Sequence, residues 1–278
     1  MYFFFDLDGT LLGISRKLHE DTKRAIEQLH EDGHKIFLCS GRTPEYLMKG
    51  IAKQIPVDGI VGCAGGVVYA EGSYIFENVL DKELIGRTVE LLDSSPAIMY
   101  RLETRDCAYA TDSYLAMNER FFAAYKAQNA DGAKAVKDEA VEETVYPIDE
   151  FDPKNVNIQK MLFYTTGEHA FDEIGSEIDR YYHTIYYYES PQISIGELIP
   201  KSCTKADGIN AVLEYYKADA LETVCFGDGM NDYQMMEIAG IAAVWEGGPE
   251  ELKALADYYF IDPDEGGIAL ALQEMGFV

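Results

Sequence analysis

Apolar positions along this chain follow two rhythms. The continuous apolar runs YFFFDL, residues 2–7, and KIFLCS, residues 35–40, predict short buried strands. Between them HEDTKRAIEQLHED, residues 19–32, places Ala25, Ile26 and Leu29 at helical spacing, with Gly33 as its stop. TPEYLMKGIAK predicts a second helix, with Thr43 as N-cap and Pro44 at the first helical position. VDGIVGCAG, residues 57–65, reads as a third strand and its turn, and VVYAEGSYIFE, residues 67–77, as a hairpin around Glu-Gly-Ser. Strand, helix, strand, helix, strand predicts a parallel α/β sheet.

The rhythm changes between residues 81 and 195. Helical stretches (DKELIGRTVELLDS, SYLAMNERFFAAYKAQ, HAFDEIGSEIDRYY) mix with short strands (IMYRLE, AYAT, KMLFYTTG, HTIYYYES, QISIGELIP) and an acidic segment, AKAVKDEAVEET. The tyrosines at 181–188 are expected on a half-buried strand with aromatic pairs. After residue 200 the first rhythm returns: helix KADGINAVLEYYKA, strand ETVCFGDG, helix NDYQMMEIAG, strand IAAVWEG, helix ELKALADYY, strand DYYFIDP and helix GGIALALQEMG. The fold class expected is α/β: a Rossmann-like parallel-sheet core from residues 1–81 and 196–278, interrupted by an α+β insertion at 82–195.

Composition narrows the partners. The 278 residues exceed one usual compact domain, and 47% are hydrophobic, enough for a core. Lysine and arginine number 23 against 49 acidic residues, a net charge of -26, which argues against nucleic acid and anionic membranes as partners. The five cysteines (39, 63, 107, 203 and 225) are scattered without Cys-x-x-Cys spacing, as in a reducing compartment. The start MYFFFD has no basic run before its short apolar stretch, and no apolar run nears the ~20 residues of a membrane helix. The expectation is a soluble, cytoplasmic protein.

Three strand ends carry chemistry. Asp6 and Asp8 close the first strand at positions that share a face, at the carboxyl edge where open α/β sheets bind ligands. CSGRT closes the second strand; Ser40 and the amides after it, beginning with Gly41, suit an oxyanion, or form a plain turn with an N-cap. FGDGMND closes a later strand with Asp228 and Asp232, or is a turn capping the next helix. Two charges ~4 Å apart repel by ~4 kcal/mol at an effective dielectric of 20. A divalent cation relieves such a cluster, and all-oxygen ligands favour magnesium over zinc. Lys205 and Lys201 are the nearby cations, with solvent-facing lysine the ordinary alternative.

DLDGT, Ser40 in CSGR, Lys205 and GDGMND, in this order, resemble the four motifs of the haloacid dehalogenase superfamily of phosphohydrolases. The insertion resembles the C2 cap of its Cof-like branch (type IIB), and ELIPKSCTKADGI resembles the stretch leading to that branch's motif lysine, selecting Lys205 over Lys201. The resemblance implies a Mg²⁺-dependent phosphatase of small phosphate monoesters, such as sugar phosphates, acting through an aspartyl-phosphate. It implies Asp6 as nucleophile and Asp8 as acid and base, in a setting that favours its neutral form. Mg²⁺ would rest on Asp6, the Asp8 carbonyl and Asp228, with Asp232 orienting its waters. Ser40, Gly41 and Lys205 would hold phosphoryl oxygens, and Asn231 would position Lys205 or one such oxygen. Arg42 stays open between a contact to substrate or cap and a structural salt bridge. GCAGG departs from the branch, with Ala64 where an asparagine is usual. A sugar phosphomutase and a phospho-acceptor signalling domain share parts of this pattern and are the alternatives.

Overall fold

The computed structural model describes residues 1–128, 144–167, 170–171 and 173–278. These form two compact units, one of Met1–Glu77 with Cys203–Val278, the other lying between Asn78 and Ser202. In chain order the first unit begins with β1 (Tyr2–Phe5), β2 (Lys35–Cys39), β3 (Gly59–Gly62), β4 (Val67–Ala70) and β5 (Ser73–Glu77). The second unit holds β6 (Ile98–Glu103), β7 (Ala108–Ala110), β8 (Val145–Pro147), β9 (Lys160–Thr166), β10 (Tyr182–Glu189) and β11 (Ile193–Pro200). The first unit then resumes with β12 (Thr223–Gly227), β13 (Ile241–Trp245) and β14 (Tyr258–Phe260).

The first unit is one eight-stranded sheet in the order β14-β13-β12-β1-β2-β3-β4-β5. It is parallel from β14 to β3, and β4 and β5 join antiparallel at the edge. The reversal at Glu71 and Gly72 works because both adopt positive φ, 51° and 78°, which a tight hairpin turn requires. The three phenylalanines of β1 serve both faces of this sheet. Phe3 and Phe5 join Ile26 and Leu29 of the helix Glu20–Glu31, while Phe4 joins Phe37 and Ile209 and Val212 of the helix Lys205–Tyr216. Each such burial contributes about 1.5–3 kcal/mol, so β1 is anchored on both sides.

Register sets where the strands stop. Phe5 lies beside Phe226 of β12 and Leu38 of β2, so Asp6, Asp228 and Ser40 leave the sheet at the same carboxyl edge. The second helix begins where Thr43 accepts a hydrogen bond from the Tyr46 amide, but ends at Lys49, before Gly50. The helix predicted over ELKALADYY is only Glu250–Lys253, because the chain turns into β14, pinned by the Asp257 amide on the Ala242 carbonyl.

The second unit is a six-stranded sheet in the order β10-β11-β9-β6-β7-β8. Tyr100, Leu102, Phe163 and Leu198 form its main core with Ile85 and Leu92 of the helix Lys82–Asp93 and Ile178 of the helix Gly175–Tyr181. On the other face Met99 and Tyr164 pack with Tyr114 of the helix Asp112–Gln128. The tyrosine run forms the expected strand, and Tyr186 sits edge-on to Phe163 at 5.6 Å, but the run is less buried than expected. Tyr182 is buried, but Tyr186, Tyr187 and Tyr188 are 39%, 60% and 51% exposed, because β10 is an edge strand with a bulge between Tyr186 and Tyr188. The helix expected from residue 169 is described from Gly175, and the acidic segment 133–144 lies, apart from Thr144, outside the described residues. Among the described residues no helix is long and apolar enough to cross a membrane.

Candidate active site

The carboxyl edge of the first unit's sheet gathers residues from distant parts of the chain. Asp6, one residue past β1, is 4% exposed, and Asp232 is fully buried. Asp6, Asp228 and Asp232 each offer a carboxylate oxygen, all within 4.8 Å of one another. Lys205, the first residue of its helix and 2% exposed, donates to Asp6 Oδ1 and to Asp232 Oδ1, both at 2.5 Å. A lysine at a helix start opposes the helix dipole; here two carboxylates compensate it. Lys201 lies elsewhere, donating to the Asp179 carbonyl in the second unit.

Two glycines make this convergence possible. Gly9, at φ +100°, lets the loop after β1 pass so close to Asp228 that a Cβ there would sit 2.3 Å from Asp228 Oδ2. Gly65, at φ +101°, lies against the start of the lysine's helix, where a Cβ would fall 1.9 Å from the Thr204 carbonyl oxygen. Its neighbours Cys63 and Ala64 also adopt positive φ, 52° and 57°. Asparagine tolerates that conformation better than alanine, so Ala64 forgoes both a polar side chain and the residue type best suited to the turn.

Hydrogen bonds lock the acidic loops. The amides of Asp228 and Gly229 donate to Asp232 Oδ2 at 3.0 and 3.2 Å, so Asp232 closes its own loop with one oxygen and holds Lys205 with the other. Thr10, fully buried, donates to Asp228 Oδ1 at 2.8 Å. Thr10 lay inside the quoted motif without an assigned role, and its partner is 218 positions away. Ser40, also buried, takes the Arg42 amide on its hydroxyl at 3.2 Å and the Ala64 amide on its carbonyl at 3.0 Å, which fixes the turn through Gly41.

Two expected placements differ. Asn231 is exposed, and it is Asp232 that takes the Lys205 ammonium, because Asp232 points inward under its loop. Asp8 does not join the acidic cluster. Its carboxylate accepts from Arg42 Nε at 2.8 Å and Nη2 at 2.7 Å, and from Arg16 Nη2 at 3.2 Å. Arg42 is therefore in a salt bridge, with its guanidinium 4.5 Å over the Tyr46 ring.

Electrostatics separate the two aspartates of β1. Burial, then the neighbouring Asp232 and Asp228, pushes the Asp6 carboxyl well above the usual range, against the pull of Lys205. Asp228 is raised by burial and by Asp232. The Lys205 ammonium is disfavoured by burial, yet Asp232 and Asp6 outweigh this and hold its proton firmly. Three carboxylates against one ammonium explain these directions together: two negative charges are left without a cation to offset them. For Asp8, burial works upward, but the Arg42 hydrogen bond and the charges of Arg42 and Arg16 outweigh it and hold the carboxyl below its usual range. This opposes the neutral form, which is expected of Asp8 only at the stage where it protonates the leaving alcohol, because the arginines reach its side chain from the second strand end and the loop after β1.

A profile of the haloacid dehalogenase-like hydrolases matches residues 3–272. YkrA of Bacillus subtilis, a candidate phosphatase, is 27% identical over 280 residues, 99% of this chain and 97% of that protein. The Escherichia coli protein YbjI, a 5-amino-6-(5-phospho-D-ribitylamino)uracil phosphatase, is 24% identical over 258 residues, covering 91% of this chain and 88% of its own. The solved structure of a subclass IIB sugar phosphatase of the superfamily superposes with a TM-score of 0.76 at 22% identity, covering 100% and 99% of the two chains, and so shares the fold. With a match that runs from β1 to the final helix, the chain belongs to the haloacid dehalogenase-like hydrolases.

Proposed function

We propose that this hydrolase releases inorganic phosphate from small phosphate monoesters, sugar phosphates among them, with Asp6 as nucleophile. The observation that carries the reading is the buried Asp6 carboxylate, one oxygen on the Lys205 ammonium at 2.5 Å, beside two further carboxylates. The relatives named as phosphatases and the fold shared with a sugar phosphatase support the substrate class.

The donor set fits a hard divalent cation: it is all oxygen, and the raised Asp6 and Asp228 carboxyls mark an excess of negative charge. Asp6, the Asp8 carbonyl and Asp228 would hold Mg²⁺, with Asp232 behind them, and the ion supplies charge that offsets the anionic substrate. Asp6 attacks phosphorus, the bond from phosphorus to the ester oxygen breaks, and Asp8 gives that oxygen a proton. The negative charge of the phosphoryl group beside Asp8 favours its protonated form, against the arginines. Water then attacks the aspartyl-phosphate, Asp8 takes its proton, and Asp6 is freed with inorganic phosphate. Ser40, Gly41 and Lys205 hold phosphoryl oxygens, with Arg42 and Asn231 at the rim. We read the unit between Asn78 and Ser202 as the cap that selects the leaving group, and the cytoplasm as the setting.

The test is phosphate release from a panel of phosphorylated metabolites in Mg²⁺, with mass spectrometry of the protein quenched during turnover. A phosphoryl adduct on Asp6 is expected. Transfer to a second sugar in place of release would favour a mutase, and an adduct lasting minutes to hours a signalling domain.

A further inference from the structure

The loop that follows β1 is tied to the far end of the chain. Ser15 gives its amide and its hydroxyl to the two oxygens of Asp264, at 2.8 and 2.6 Å. Gly13 packs on the same carboxylate, where a Cβ would lie 2.6 Å from Asp264 Cγ. Asp264 is itself fixed, its amide donating to Asp262 Oδ1 at 2.9 Å in the turn Pro263–Glu265. The next residue after Ser15 is Arg16, whose amide closes a turn on the Gly13 carbonyl at 3.0 Å. Arg16 adopts φ +55°, a conformation that costs a non-glycine residue more than an exposed ion pair usually returns. Its guanidinium reaches Asp8 Oδ1, while Arg42, braced on Tyr46, forks both oxygens of the same carboxylate.

We propose that Arg16, held by the Ser15–Asp264 clasp, is a positioning residue that orients the Asp8 carboxyl for proton transfer. The inference rests on the reading of Asp8 as acid and base. A carboxyl on a loop end has two free torsions, and three hydrogen bonds from two guanidinium groups restrict them. Asp264 acts through the loop, at a site with no part in the chemistry.

Leaving-group dependence tests this. The quantity kcat/KM reports steps up to ester cleavage, and p-nitrophenolate departs without a proton, whereas an alkoxide needs one. R16A is expected to lower kcat/KM for β-glycerophosphate about 100-fold and for p-nitrophenyl phosphate less than about 5-fold. R16K, which keeps a donor, should recover at least about tenfold of the loss, and D264A should show the same selectivity at about a tenfold loss. Should D264A fail to fold, S15A, which keeps the Pro263–Glu265 turn, takes its place. Equal losses on both esters, or no loss on either, overturn the inference, as does an R16K no better than R16A. Wild-type protein that releases phosphate from neither ester and from no member of the metabolite panel overturns the proposed function, and the inference with it.

Discussion

Among the described residues a lysine is buried between two carboxylates in each unit. At the carboxyl edge of the first sheet Lys205 sits 2.5 Å from both Asp6 and Asp232, with Asp228 alongside. In the second unit Lys160 of β9 sits 2.8 Å from Glu197 of β11 and 3.7 Å from Glu103 of β6, and Arg101 reaches Glu103 at 3.2 Å. Among the described contacts, the second cluster sets two cations against two anions. Burial disfavours the Lys160 ammonium, but Glu197 and Glu103 hold its proton. The first does not balance, and its surplus falls on Asp6 and Asp228, whose carboxyls rise. Offset charges brace a sheet, whereas the surplus on Asp6 and Asp228 is what a bound cation would offset. Burial alone distinguishes neither, since Lys160 and Lys205 are both buried.

The largest effect expected from this contrast is on turnover. Asp6→Asn removes the proposed nucleophile, and phosphate release should fall at least about 10⁴-fold with an unchanged circular dichroism spectrum. Retained turnover would falsify the nucleophile. Chelation should likewise abolish turnover, with recovery on adding Mg²⁺.

Next in size is a stability effect confined to the other cluster. Lys160→Met leaves Glu197 without its cation and Glu103 with Arg101 alone, and urea unfolding should show a loss of about 3–5 kcal/mol. The Mg²⁺ response should persist in that variant; its disappearance would mean that the two clusters are not independent.

Mg²⁺ at about 100 times its Kd should stabilise the wild-type protein by about 2.7 kcal/mol in a thermal melt, and Asp228→Asn should weaken this response. Protons compete for the raised Asp6 and Asp228 carboxyls, so Mg²⁺ affinity should climb as pH rises through their elevated titration range. Calorimetry at several pH values checks the sign, and affinity that falls over that range would contradict it. The smallest change is Thr10→Val, which removes one hydrogen bond to a charged acceptor and should cost about 1.5–3 kcal/mol of stability without Mg²⁺.

Much of the fold was legible because its signals are local. Thr43-Pro44 marks a helix start from adjacent residues, and FFF marks a strand buried on both faces. Glu71-Gly72 marks a hairpin because the turn needs positive φ there. ELKALADYY misled because a helical pattern yields where the Asp257 amide bonds a neighbouring strand. The tyrosines of β10 form the expected strand but are more exposed than expected, because composition does not say which strand lies at a sheet edge.

The acidic pairs of the site were visible as motifs, for the same reason. Their partners were not. Thr10 meets Asp228 across 218 positions, and Arg16 meets Asp8 through a loop held by Asp264 at the other end of the chain. The sequence by itself determined the strand ends, the acidic loops and the family pattern, since each is written in a few consecutive residues. Only the tertiary structure decided which charges share a site. It drew Asp6 into a buried cluster with Lys205 and turned Asp8 toward two arginines, although a single residue separates them. Charge interaction depends on distance and solvent exclusion, and neither is a property of chain order.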